Sequence, residues 1–435
     1  MKLTIKNRQL PTGWRKKKLG DVCDLQNGYA FKSKSYVKKS NTISIRMSNI
    51  RPNGQFDPEH NIKYLPDSFA SEYSQFLVRE GDLVVAMTDM ASDPKILGLP
   101  TLINQVKGRN FLLNQRVGKL HNFSEDIDKK FLRFFLSSPV ARFYLKSKGA
   151  GGLQININKK DILSITIPIP PLHEQKEIVE KLDEAFEGID RAIANTEKNL
   201  ANARELFNSY LNNIFTRDED KWIEKTLGEI CEIARGGSPR PIKNFLTNDT
   251  NGINWIKISD ASASSKYIYE TKEKIRPEGI KSSRLVQNGD LLLSNSMSFG
   301  RPYIMKTSGC IHDGWLVLRE KSGLFNEEFL YYYLGSNATY KQFDYLAAGS
   351  TVRNLNINLV KKVKVILPTL SQQREIVQAL EQFSIETQRL EAIYQRKLEA
   401  LQELKQSLLH KAFTGELTNP STSLRNNPTV KEVAA

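Results

Sequence analysis

The sequence predicts an α+β chain: two similar globular α/β domains separated by two long α-helices, which pair with each other within one duplicated chain. Three observations predict it. The chain is written twice, each copy ends in a long proline-free amphipathic stretch, and the positive charge is confined to what precedes those stretches.

The duplication is visible from the start. Trp14, Leu19, Gly20, Asp21, Val22, Cys23, Leu25 and Gly28 recur 208 positions later as Trp222, Leu227, Gly228, Glu229, Ile230, Cys231, Ile233 and Gly236. The same offset carries Gly81-Asp82-Leu83 onto Gly289-Asp290-Leu291, each followed by an apolar run that reads as a strand. Ile155-Asn156-Ile157-Asn158 then matches Leu355-Asn356-Ile357-Asn358 at an offset of 200, the drift marking loop insertions.

The best-kept part is helical. Pro170, Leu172 and Gln175 map onto Pro368, Leu370 and Gln373, and the register holds to Phe215-Thr216 and Phe413-Thr414. Ile178, Leu182, Ile189 and Leu200 in the first stretch, and Ile376, Leu380, Leu390 and Leu398 in the second, fall on one stripe by steps of mostly four and three, so they are the expected coiled-coil interface. At about 1.5 Å per residue, helices of about 43 residues run to roughly 65 Å, too long to bury a stripe against a small domain. The other copy is the expected partner, because segments of one chain meet at high effective concentration; two coiled coils that each dimerise with another molecule are the alternative. The expected boundaries are therefore 1–170 and 217–368 for the globular parts, 171–216 and 369–417 for the helices, and a disordered polar tail over 418–435.

Composition narrows the class. No run approaches the roughly 18 apolar residues of a membrane helix and the first residues do not resemble a signal peptide, so a cytoplasmic location is expected. Cys23, Cys231 and Cys310 have no Cys or His neighbour at zinc-ligand spacing and are expected to be buried free thiols. The net charge of +15 is unevenly spread: residues 1–170 hold 28 basic against 14 acidic side chains and residues 217–368 hold 22 against 17, whereas both helical stretches are slightly acidic. That is the footprint expected if the globular parts hold phosphates and the helices do not.

Globular part, long helix, similar globular part, similar helix, with Pro-x-Leu-x-x-Gln opening each helix and Lys411-Ala412-Phe413-Thr414-Gly415-Glu416-Leu417 closing the second, resembles the specificity subunit of type I restriction-modification systems over residues 10–417. The resemblance implies that each globular part is a target recognition domain reading one half of a split duplex DNA sequence, and that the two helices form an antiparallel intramolecular coiled coil that spaces them, which makes the internal repeat a pseudo-two-fold. It also implies partners: two modification subunits that methylate adenine with S-adenosylmethionine, and two restriction subunits that use ATP and Mg²⁺. No cofactor is expected in this chain.

Base edges are read by polar and cationic side chains on exposed loops, and phosphates by Lys, Arg and backbone N–H groups. In the second copy the loop Arg235-Gly236-Gly237-Ser238-Pro239-Arg240 with Lys243 is the most suggestive, since glycine lets backbone approach closely. Its first-copy counterpart carries Lys32 and Lys34. Further candidates are Arg46 and Lys257, the residues after the Gly-Asp-Leu strands (Thr88 and Asp89; Asn295, Ser296 and Arg301), the turns Asn114-Gln115-Arg116 and His312-Asp313, and the Gly-rich turns with Gln154, Arg353 and Asn354. The basic run Arg15 to Lys18 reads as a solvated face or a phosphate contact.

Catalytic signatures are missing from the sequence. There is no Asn/Asp-Pro-Pro-aromatic loop of an adenine methyltransferase and no phosphate loop. Asp260 with Glu270-Thr271-Lys272 has the spacing of a Mg²⁺ nuclease, but the first copy has no Glu-x-Lys there, so chance spacing is the better reading. A non-catalytic DNA-recognition subunit is the expectation; a coiled-coil scaffold or a Mg²⁺-dependent nuclease is the alternative, separated by salt-sensitive duplex binding and by cleavage with Mg²⁺ alone.

Overall fold

The structure is a computed structural model describing residues 10–104, 108–216, 222–262, 266–295, 299–347 and 354–418. The chain forms two compact units, Met1–Asn195 with Lys397–Ala435, and Thr196–Arg396. The tail expected to be disordered lies, from residue 419 onward, outside the described residues.

In the first unit a four-stranded antiparallel sheet runs in the order Asp24–Asn27, Val117–His121, Leu83–Ala86, Pro100–Leu102. Leu83–Ala86 is buried on both faces, and the strand period of two divides it. Leu83 and Val85 pack with Phe131 and Phe135 of the helix Lys129–Ser137, while Val84 and Ala86 meet Ile43, Ile45 and Phe111 of a second sheet. That sheet, ordered Tyr64–Leu65, Thr42–Ile45, Asn110–Leu113, Leu77–Val78, has a parallel central pair.

The second unit repeats the plan with two five-stranded sheets. Cys231–Arg235, Trp315–Glu320, Leu291–Ser294 and Pro302–Met305 take the places of the first-unit strands, with Tyr267–Ile268 added at the edge. Leu292 shares a core with Ile256 and Ile311 of the second sheet and with Trp315 of its own, and Leu291 and Leu293 face Phe329 and Leu330. The basic run Arg15–Lys18 is a strand paired with Thr166–Ile169, and Arg15 and Lys17 both reach Asp126, so two of its four charges are spent within the fold.

The repeated motifs are explained by the backbone. Gly81 and Gly289 hold φ of 77° and 92°, where a side chain is strained, and the following Asp closes the turn: Asp82 accepts from Arg79 N–H at 2.9 Å and Asp290 from Gln287 N–H at 2.9 Å. Gln175 is fully buried; its Oε1 accepts from Asp128 N–H and its Nε2 donates to the carbonyls of Asp126 and Pro170, at 2.8–2.9 Å. Gln373 makes the same bonds with Asn326, Leu324 and Pro368. Each glutamine thus ties the strand leaving a sheet to the start of the short helix Lys129–Ser137 or Glu327–Leu334.

The long helices are Leu172–Phe215 and Leu370–Thr414. Each begins in one unit and ends in the other, and within each unit they pack antiparallel. In the first, Ile178, Val179 and Leu182 share a core with Leu409, Ala412 and Phe413, Asp190 pairs with Lys405, and Phe413 meets Phe131 and Phe135 edge-on at 5.3 and 5.2 Å. In the second, Leu211 and Ile214 pack with Val377 and Leu380, Tyr210 lies against Phe383, and Phe215 sits against Phe329 and Tyr333.

Ile189 and Leu200 are buried, and Ile376 and Leu398 are half-buried. Leu390 departs from the expected stripe and stays 36 % exposed. Past the buried Thr387 and as far as Leu398 the helix keeps only half-buried positions, Glu391, Tyr394 and Leu398, and Glu391 pairs with Arg204 at 3.2 Å. All three cysteines are buried and free, burial raising the thiols of Cys23 and Cys231 to about 12. Among the described residues no helix is long and apolar enough to cross a membrane.

Candidate nucleic-acid interface

At one end of the first sheet in each unit, two turns meet with almost no space between them. A Cβ on Gly28 would lie 2.2 Å from the Asn114 carbonyl oxygen, and one on Gly236 would lie 2.1 Å from that of His312. Real Cβ atoms do not approach a carbonyl so closely, so glycine is required at both places. The repeat therefore preserves a loop crossing as well as a core: Gly28 seats the turn Asn114-Gln115-Arg116, and Gly236 seats His312-Asp313-Gly314.

In the first unit several residues expected to touch DNA are used inside the protein. Asp89 is 6 % exposed, and its carboxylate accepts the backbone N–H groups of Met90, Ile96 and Leu97, which fixes the loop after the strand Thr88–Met90. Thr88 is buried and donates to Asn156 Oδ1 at 2.7 Å, across the ribbon made with Gln154–Asn156. Asn114 is buried and accepts from the N–H of Arg116, closing its own turn. Free to reach outward are Gln115, Lys32 and Lys34, all exposed, with Arg116, Arg46 and Gln154 half-buried.

The second unit gathers its candidates more tightly. Asp313 is the hub: its carbonyl accepts from Arg235 Nε at 3.0 Å and from Asn295 Nδ2 at 2.8 Å, its carboxylate accepts from Ser238 Oγ at 2.8 Å, and Arg240 lies 3.8 Å away. The Ser238 bond is the chief cause holding the Asp313 carboxyl below the ordinary carboxylate range. Asn295 is 1 % exposed and so positions the turn from within. Asp313 and Asn295 are thus spent on structure, and Lys257 is partly so through its pair with Glu273 at 2.6 Å. Arg235, Arg240, Lys243 and Arg301 remain exposed, and Asn354 is half-buried. Ser296 and Arg353 lie outside the described residues.

Beside the hub an open depression of about 960 Å³ is lined by Ser238, Arg240, Lys243, Lys257, Trp255 and His312, with Ile242 and Ile258. Its cationic rim and aromatic floor suit a polyanion that carries flat rings. The floor was invisible in the sequence, where Trp255 reads as an ordinary strand residue of Ile253–Ile256. The Asp260 constellation dissolves: Asp260 accepts from the N–H groups of Lys257 and Lys272 and closes a turn. Among the described residues no group of three His, Cys, Asp or Glu side chains could hold a metal.

Two copies of one loop scaffold, each unit completed by parts of both long helices, define a duplicated recognition protein. The model of the type I restriction modification DNA specificity domain matches residues 11–201 and 219–400, and the chain belongs to that family. It is similar to the StySPI specificity subunit of Salmonella potsdam (25 % identical, 94 % of this chain and 90 % of the relative) and the EcoKI specificity subunit of Escherichia coli K12 (24 %, the same coverage). The MjaVIII specificity subunit of Methanocaldococcus jannaschii is 30 % identical over a stretch spanning 40 % of each chain.

A chain in a solved structure of the type I R-M system aligns at a TM-score of 0.73 with 21 % identity, covering 94 % of this chain and 99 % of that one. The HsdS subunit from Thermoanaerobacter tengcongensis aligns at 0.54 with 22 % identity, with the same coverage. These two likenesses bear on the fold. The family and its curated members make the chain a specificity subunit of a type I restriction-modification system, a non-catalytic DNA-recognition component.

Proposed function

We propose that this chain binds an asymmetric, interrupted duplex DNA target, each globular part reading one half-site, and docks two modification and two restriction subunits. The observation that carries the reading is the duplicated loop crossing, Gly28 over Asn114 and Gly236 over His312, which gives both units the same scaffold with different side chains on it. One scaffold bearing Gln115 and Arg116 in one unit and His312, Arg235 and Arg240 in the other favours two different half-sites. Counterion release by the exposed cations would make binding strongly salt-dependent.

The chemistry belongs to the partners in this reading: S-adenosylmethionine to the modification subunits, ATP and Mg²⁺ to the restriction subunits, and none of them to this chain. The complex works in the cytoplasm, where the cell's DNA is. Co-expression with the cognate modification subunit, followed by mapping of methylated adenines across a genome, tests the proposal. An interrupted motif with two unlike halves is expected; a continuous or palindromic motif would overturn it.

A further inference from the structure

His312 is held in a way that leaves one particular atom for a ligand. Its Nδ1 accepts the N–H of Gly314 at 2.8 Å, so the proton of the neutral ring sits on Nε2. The ring lies between Trp255 and Trp315, with centroids 6.2 and 6.3 Å away. A Cβ on Gly314 would come within 2.3 Å of His312 Cε1, so only glycine lets the ring fold back over its own turn. Behind it the turn is fixed by Gly236, Asn295, Arg235 and Ser238. Nδ1 is therefore spent, the ring is braced on both sides, and no protein group among the described residues accepts the Nε2 proton, while the side chain, 20 % exposed, lines the depression.

We propose that His312 is a base-reading residue of the second unit, donating Nε2–H to an acceptor atom on the major-groove edge of a base pair seated in the depression lined by Ser238, Arg240, Lys243 and Trp255. The inference rests on the proposed DNA-binding function and names one contact within it. The acceptors available on such an edge are N7 of either purine, O6 of guanine and O4 of thymine, whereas cytosine offers only its amino donor there. A rigid donor thus rejects a cytosine at its position. Arg240 and Lys243, exposed on the rim, act on phosphate and leave base preference unchanged.

The first unit supplies the variant that isolates this role. Asn114 stands at the matching turn position and closes the turn by accepting the N–H of Arg116 through its amide oxygen, as His312 does with Nδ1. His312→Asn therefore keeps the turn bond and removes the ring donor. With the target identified by methylation mapping, binding of the full chain in complex with its modification subunit is measured against duplexes substituted one base pair at a time, over a salt series. His312→Asn should unfold at the wild-type temperature, keep the wild-type salt slope, and lose roughly ten-fold discrimination at a single base pair of one half-site.

Arg240→Ala should instead weaken binding to every duplex alike and flatten the salt slope. A His312→Asn complex that discriminates at every position as the wild type does would overturn the assignment. So would one whose preference changes at several positions in both half-sites. Failure of the underlying reading looks different: the wild-type complex itself would then show no salt-dependent preference for its mapped site.

Discussion

Gln175 and Gln373 show how much one buried amide can hold. Each side chain satisfies three backbone groups that the start of a short helix and the end of a strand would otherwise leave unpaired. Truncation to alanine leaves those groups buried without partners, and Gln373→Ala should destabilise the second unit by about 2–4 kcal/mol in chemical denaturation. Gly236→Ala should be at least as damaging, about 3 kcal/mol or more, because the opposing atom is a backbone oxygen that cannot swing aside. His312 gives a pH dependence of definite sign. Burial is the first cause lowering its pKa from the ordinary 6.5, so its contribution is fully present above that value. It is lost as pH falls through the lower folded value, when protonation of Nδ1 breaks the Gly314 bond. Thermal unfolding should show extra acid sensitivity in the wild type that His312→Asn lacks. The sequence marks Asp313, Asn295 and the loop holding Gly236 as separate candidates for DNA contact, and it cannot say which side chains face outward. Burial separates them, and residue type alone does not report it: Asp89 and Gln115 are both polar residues near a strand end, one sealed by three N–H groups and the other exposed.

At the scale of elements, the long helices were the most legible part of the chain because a stripe sustained over many turns has no reading other than a helix with a long partner. The strands Leu83–Ala86 and Leu291–Ser294 were legible for a similar reason, being short apolar runs after a Gly-Asp turn. The edge strands of two or three residues, such as Tyr64–Leu65 and Tyr267–Ile268, carry no periodicity and are fixed by their neighbours. The stripe is weakest at Leu390, which stays as exposed as its neighbour Glu391. Two substitutions separate the buried from the exposed part of the stripe: Leu380→Ala, fully buried, should cost about 2–5 kcal/mol, and Leu390→Gln should leave the unfolding midpoint nearly unchanged. An equal loss from both would mean that something covers Leu390 in solution.

For the whole molecule, the duplication and the charge distribution said most about function before any coordinates, because a polyanion-binding role shows in where cations are and where they are missing. What remained hidden was the depression beside Asp313, whose floor is drawn from distant segments, Ile242, Trp255 and His312. We propose that the long helices set the interval between the half-sites. Adding four residues to both lengthens each by about 6 Å, and the gap in the methylated sequence should grow by roughly two base pairs. An unchanged gap would sink the idea.

The interleaving of the units also bears on the order in which the polypeptide can mature. The first unit takes the core residues Leu409, Ala412 and Phe413 from the second long helix, which is synthesised only after the whole second globular part. Its amino-terminal portion must therefore leave the ribosome with an open seam and wait for the carboxyl-terminal helix to close it. A stop codon after Arg396 would accordingly injure the first unit more than the second, and protease susceptibility in such a truncation should rise first around Phe131 and Phe135.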